Sequence, residues 1–158
     1  IRTYTGKMFD VTNPNPDLIC IEDIAHALSN LCRFGEHTAQ FFSVAEHSVW
    51  VAQNVRHKHK LAALLHEASE AYLVDIPTPI KKLLPDYYRW EYKLMEAIAK
   101  KFGFRYPLHP DVQEADENAL RAEWTDIVPL KATDYTLLRP QEAERRFLNY
   151  FEFQTLSI

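Results

Sequence analysis

The stretch Leu-Leu-His66-Glu67-Ala-Ser-Glu70-Ala-Tyr-Leu-Val-Asp75 places one imidazole and three carboxylates close together beside an apolar run. No Lys or Arg lies between Leu61 and Ile80 to neutralise those acids. Carboxylates crowded next to apolar residues repel one another and lose hydration, so a compensating positive charge is required. A divalent cation meets that need, because imidazole and carboxylate are ligands such ions accept. Two further residues extend the set. His47 falls one turn into a predicted helix, and Asp116 lies within Val-Gln-Glu-Ala-Asp-Glu-Asn-Ala-Leu. Spacing alone makes Glu114, Asp116 and Glu117 an acidic, solvated helix face. Drawn together from three helices, His47, His66, Glu67 and Asp116 form a candidate ligand set of the kind built inside helical bundles. His26, His57, His59 and His109 have no acidic or histidine companion at a telling spacing and carry no such expectation.

The elements that must position these groups are helices. Apolar residues at helical spacing predict a helix over residues 21–32. A second is predicted over 43–56, where Ser43 and Glu46 spell a reciprocal capping box. A third, over 61–73, ends at the prolines of Asp75-Ile-Pro-Thr-Pro79. Residues 86–102 predict a long amphipathic helix capped by Asp86 and stopped at Gly103. Pro110 and Pro140 open two more, over 110–124 and 140–153. Residues 2–11 alternate loosely around Gly6 and predict a short hairpin or extended arm.

Composition agrees with an all-α fold. Only three glycines in 158 residues disfavour a sandwich or barrel, which need many special turns. The length fits one domain spanning residues 1–158, with 47% hydrophobic and 25% charged residues. A net charge of −4 without a basic run argues against a nucleic-acid polymer or an acidic membrane as partner. Cys20 and Cys32 are expected to be reduced thiols of a cytoplasmic protein, and no apolar run reaches membrane-spanning length.

Taken jointly, Arg33-Phe34, Ser43-Val-Ala-Glu-His47, His66-Glu-Ala-Ser-Glu70, Asp75-Ile-Pro-Thr-Pro-Ile-Lys81 and Glu-Ala-Asp116 resemble the H…HD…D signature of the HD-domain metal-dependent phosphohydrolases. Among these the chain is most similar to bacterial 5′-deoxynucleotidases and to phage-encoded HD hydrolases that include dATP triphosphohydrolases. The resemblance implies an HD-domain bundle of about six helices. It implies one divalent ion (Zn, Co, Mn or Mg) on His47, His66, Glu67 and Asp116. Glu70 would orient or deprotonate the attacking water, and Asp75 would act near the sugar and leaving group. Arg33 and Lys81 would contact phosphate, with Phe34 or His37 flanking base or sugar. The implied substrate is a small (deoxy)nucleotide, cleaved as a 5′-dNMP or as a dNTP, and the implied assembly is a homo-oligomer. One departure stands out, because the second motif is His66-Glu67 where the family has His-Asp. A nucleotide-binding or scaffold module whose catalysis that change has weakened is the alternative. A zinc protease is disfavoured, since His66-Glu67 lacks the second histidine four residues after the first.

Overall fold

The structure is a computed structural model that describes residues 1–128 and 137–156. Eight α-helices lie among them: α1 (Ile21–Asn30), α2 (Val44–Gln53), α3 (Lys60–Leu64), α4 (Glu70–Leu73), α5 (Thr78–Lys81), α6 (Pro85–Phe102), α7 (Pro110–Asp126) and α8 (Pro140–Thr155). Among the described residues β-pairing is limited to two isolated bridges, Arg2 with Met8 and Cys32 with Ser43. The fold is therefore all-α. No helix among the described residues is long and apolar enough to cross a membrane.

α2 is the central strut, packing against α1, α3, α7 and α8. Only half of the predicted capping box forms at its start: Ser43 Oγ accepts from the Glu46 amide at 3.1 Å, but the Glu46 side chain does not return to Ser43. The Glu46 carboxylate reaches across to the Leu138 amide, tying α2 to the segment before α8. The core uses small and branched residues: Ala25, Ala45, Ala63 and Ala115 between Ile24, Leu28, Val49, Leu64, Leu94 and Phe147. Alanines at these crossings let helix axes approach closely, which is what allows side chains from different helices to meet.

The N-terminal arm is a hairpin turning at Gly6, whose φ of 87° suits glycine. Phe9 is buried with its ring 4.5 Å from Tyr72, and Asp23 accepts from both the amide and the hydroxyl of Thr5. Cys20 and Cys32 are free thiols that flank α1.

The expected helix over 61–73 is broken. α3 stops at Leu64 and α4 starts at Glu70, and tight turns fill residues 65–69. The cause is His66, whose Nδ1 donates to the Ala63 carbonyl at 2.7 Å. A continuous helix would need that carbonyl for a backbone amide. The side chain thus takes the place of the ladder, and His66 and Glu67 sit on a bend between two helices. α5 was not expected either. Pro79 falls in its first turn, where a missing amide is harmless. At α6 the helix opens one residue earlier than the expected Asp86 cap, with Pro85 in the first turn and Leu84 as the cap.

Candidate metal centre and cleft

His47 projects from α2 into the interior and is fully buried. Its Nδ1 lies 2.6 Å from Glu123 Oε1 on α7, and its Nε2 lies 3.1 Å from Asp116 Oδ1 and 3.2 Å from His66 Nε2. His66 Nε2 is in turn 3.6 Å from both Glu67 Oε1 and Asp116 Oδ1. The hydrogen-bond roles follow from the partners. A carbonyl only accepts, so the His66 Nδ1 beside Ala63 carries the proton, and the short contact to Glu123 assigns the same tautomer to His47. With Nδ1 engaged on the far side of each ring, it is the two Nε2 atoms, 3.2 Å apart, that face the carboxylates of Glu67 and Asp116, and a cation that took the place of protons there would meet four ligand atoms.

The donor set fits a metal ion. One ligand atom from each of His47, His66, Glu67 and Asp116 lies within 4.8 Å of all the others. Neighbouring donors on a tetrahedral ion with bonds of about 2.1 Å stand roughly 3.4 Å apart. Four of the six separations, at 3.1 to 3.6 Å, bracket that value, and the other two stay within 4.8 Å. The same field attracts protons. Burial acts most strongly on His66 and would lower its pKa, yet Glu67 and Asp116 outweigh burial and raise it. Burial likewise pushes Asp116 up, but the two imidazoles hold its carboxyl well below the usual range.

Behind the donors sits Glu123, which the sequence reading missed. It is 6% exposed; Oε1 accepts from His47, while Oε2 accepts from Arg33 Nε at 3.0 Å and Arg33 NH2 at 2.9 Å. Burial opposes its ionisation, and His47 and Arg33 more than compensate, leaving its pKa lowered. The only trace in the sequence is spacing: Glu123 follows Asp116 by two helical turns. One carboxylate thereby orients a histidine of the ligand set and a buried arginine together.

The donors floor a cleft of about 660 Å³ whose lining includes Arg33, Phe34, Glu67, Glu70, Asp75, Lys81 and Asp116. Seven of the ten residues singled out from sequence thus line it, and His47 and His66 lie buried beneath. His37 does not: it is exposed and outside the lining, because the chain at Phe34, Gly35 and Glu36 turns away through three positive φ angles. Phe34 itself faces the cleft, with the Arg33 guanidinium 5.3 Å from its ring centroid.

Glu70 is 3% exposed, and its Oε2 has no hydrogen-bond partner. Burial first, then the charges of Glu67 and Asp75, push its pKa well above the ordinary value against the pull of Lys81 and Arg33. Lys81 Nζ lies 2.8 Å from Glu91 and 3.8 Å from Glu70. Asp75 is also raised, chiefly by burial. It follows Val74, a β-branched residue at φ 63°, ψ 159°, whose carbonyl accepts from the Tyr87 hydroxyl at 2.7 Å. Such a backbone costs roughly 1–3 kcal/mol and persists where surrounding structure enforces it. Here it turns Asp75 into the cleft.

A second histidine group has no counterpart in the sequence reading. His59, His109 and Asp111 also bring ligand atoms together. Asp111 is already neutralised by Arg56 at 2.6 Å, and His109 accepts the Asp111 amide as the cap of α7. That arrangement is accounted for by helix capping and an ion pair.

No protein-family model matches the chain. It is 44% identical over 127 residues to the uncharacterized protein YfdR of Escherichia coli K12, a match covering 80% of this chain and 71% of YfdR. The chain belongs to the YfdR family. A second relative, the uncharacterized protein RCAP_rcc00048 of Rhodobacter capsulatus, is 33% identical over 156 residues, covering 92% of this chain and 78% of its own length. For a YfdR-family chain the site's chemistry must therefore be argued from its own residues. What those residues offer is a four-donor group able to hold a metal ion, a buried acid with a free oxygen, and two cations facing one cleft.

Proposed function

We propose that the protein is an HD-type, metal-dependent phosphohydrolase acting on a (deoxy)nucleotide. The observation that carries the reading is the convergence of His47 Nε2, His66 Nε2 and the carboxylates of Glu67 and Asp116. A divalent ion bound there would supply Lewis acidity to a phosphoryl oxygen and lower the pKa of a water. The chain's own residues supply the rest. Glu70, in its ionised form, offers its unpartnered Oε2 to the attacking water and takes up the proton, which burial and the charges of Glu67 and Asp75 make it hold more strongly than an ordinary carboxylate. Arg33, fixed by Glu123, presents a charge that cannot be lost to the phosphoryl oxygens. Lys81 adds a second positive charge at the same wall. Asp75, with its pKa raised, is suited to protonate the leaving oxygen of the sugar. Glu67 takes the position of the family aspartate, with equal charge and one methylene more reach. A scaffold would have no use for a buried acid with one oxygen left without a hydrogen bond beside two cations.

The test is phosphate release from nucleoside monophosphates, deoxynucleoside monophosphates and deoxynucleoside triphosphates, each with Zn, Co, Mn and Mg. Release of phosphate or triphosphate with at least one ion is expected. No release from any substrate with any ion would refute the reading.

A further inference from the structure

The cleft is two-faced along its length. Its inner end holds Glu67, Glu70, Asp75, Arg33 and Lys81, whereas Leu120 and Trp124 of α7 stand on its wall nearer solvent. Asp116, Leu120 and Trp124 recur every fourth residue, so they form one stripe along α7, about 6 and 12 Å from the ligand aspartate by helix rise. Trp124 is 63% exposed and Leu120 43% exposed, so both offer apolar surface beside the charged site. The ring of Phe34 meets that of Trp124 at 5.9 Å and 60°, making a corner in which the indole stays largely exposed. Phe34 is held there by a left-handed backbone, φ 59° and ψ 25°, that a bulky residue rarely adopts. Beside the corner, Arg121 and Thr125 add hydrogen-bonding groups to the lining.

From this geometry we infer that Trp124, with Leu120 and Phe34, is a stacking platform for the flat aromatic base of the substrate, and so the residue that separates nucleotides from base-free sugar phosphates. The inference rests on the phosphohydrolase reading for the position of the phosphate at the inner end. Charge and polarity support the orientation. A phosphate is drawn to Arg33 and Lys81, and a base is the part of a nucleotide that gains by leaving water for an aromatic face. The stripe from Asp116 to Trp124 has the reach of a nucleoside monophosphate laid along the helix. Trp124 acts on binding and not on the reacting atoms.

The experiment uses a Trp50→Phe, Trp90→Phe background, in which Trp124 is the sole indole. Its fluorescence is titrated with 2′-deoxyadenosine 5′-monophosphate, deoxyribose 5-phosphate and inorganic phosphate, and hydrolysis of the two esters is followed in parallel. Saturable quenching by the nucleotide and none by the sugar phosphate is expected. Trp124→Ala, made in the native chain, should raise KM for the nucleotide by roughly tenfold to a hundredfold. It should leave kcat and the KM for deoxyribose 5-phosphate within about twofold, and Trp124→Phe should restore most of the loss. Equal quenching by the two esters, or an unchanged nucleotide KM in Trp124→Ala, would overturn the inference while leaving hydrolysis intact. Quenching without hydrolysis of either ester, with each of the four ions, would uphold the platform and overturn the monophosphate form of the phosphohydrolase reading.

Discussion

Replacing Glu123 by Gln keeps the volume and removes the charge that two partners share. In the native chain Glu123 accepts from His47 Nδ1 at 2.6 Å and from two Arg33 nitrogens at 2.9 and 3.0 Å. Glutamine has one acceptor oxygen, so its amide group must face either the His47 N–H or the guanidinium, donor against donor. Arg33 is 7% exposed and would keep its charge without a counterion. Breaking a buried pair in this way costs about 3–5 kcal/mol. Some of that is offset here, because Glu67, Glu70 and Asp75 also favour the Arg33 charge. A loss of about 3 kcal/mol in unfolding free energy at pH 7 is therefore expected, read by urea denaturation of the metal-free protein. Release of the His47 ring should weaken metal binding by roughly 10- to 100-fold in calorimetric titration. The pH dependence supplies a further check. The folded pKa of Glu123 is lowered, so its stabilisation is complete above the unfolded value of about 4.3 and fades as pH falls through the folded value. The gap between native and Glu123→Gln should shrink as pH drops below about 4. A stability change under 1 kcal/mol with unaltered metal affinity would refute the argument that Glu123 holds both groups.

Glu70→Gln should retain the metal but lower turnover by about 100-fold or more. Because the Glu70 pKa is raised in the folded state, its ionisation disfavours folding above about pH 4.3, so the variant should also be more stable than native at pH 7 and equal to it near pH 4; a native turnover would remove Glu70 from the mechanism. Glu67→Asp should keep the metal and hold activity within about tenfold, since charge and donor type persist; loss of both in a folded variant would mark the glutamate as a requirement of this site. Val74→Gly relieves a positive φ at an exposed position and should raise the unfolding free energy by about 1 kcal/mol, measured by denaturation; destabilisation would show that the Val74 backbone is not strained.

The parts of this molecule that were legible in the sequence are those written in periodicity or in paired residue types. Apolar spacing located the main helices, the proline and glycine punctuation located most of their ends, His47 and His66 stood out by type, and Asp116 stood out from its acidic neighbours through the resemblance to the HD signature. What escaped was written in long-range contacts. The break at residues 65–69 depends on a hydrogen bond from a side chain to a carbonyl three residues back, which no hydrophobic pattern encodes. Glu123 looks from spacing like any helix acid, and only the burial of α7 against α2 makes it a buried bridge. The resemblance put Phe34 or His37 beside base or sugar, but the left-handed turn through Phe34–Glu36 carries His37 out to solvent. His59 and His109 are fifty residues apart and stack at 4.1 Å, again a matter of tertiary approach.

The central claim, that the four converging donors hold a metal ion on which hydrolysis depends, is tested most directly by titrating chelator-treated protein with a divalent cation while following phosphate release. The account predicts no release without metal, activity that saturates at one ion per chain, and no recovery in His66→Ala at the same ion concentration. Phosphate release that is indifferent to chelation, or full activity in His66→Ala, would contradict it.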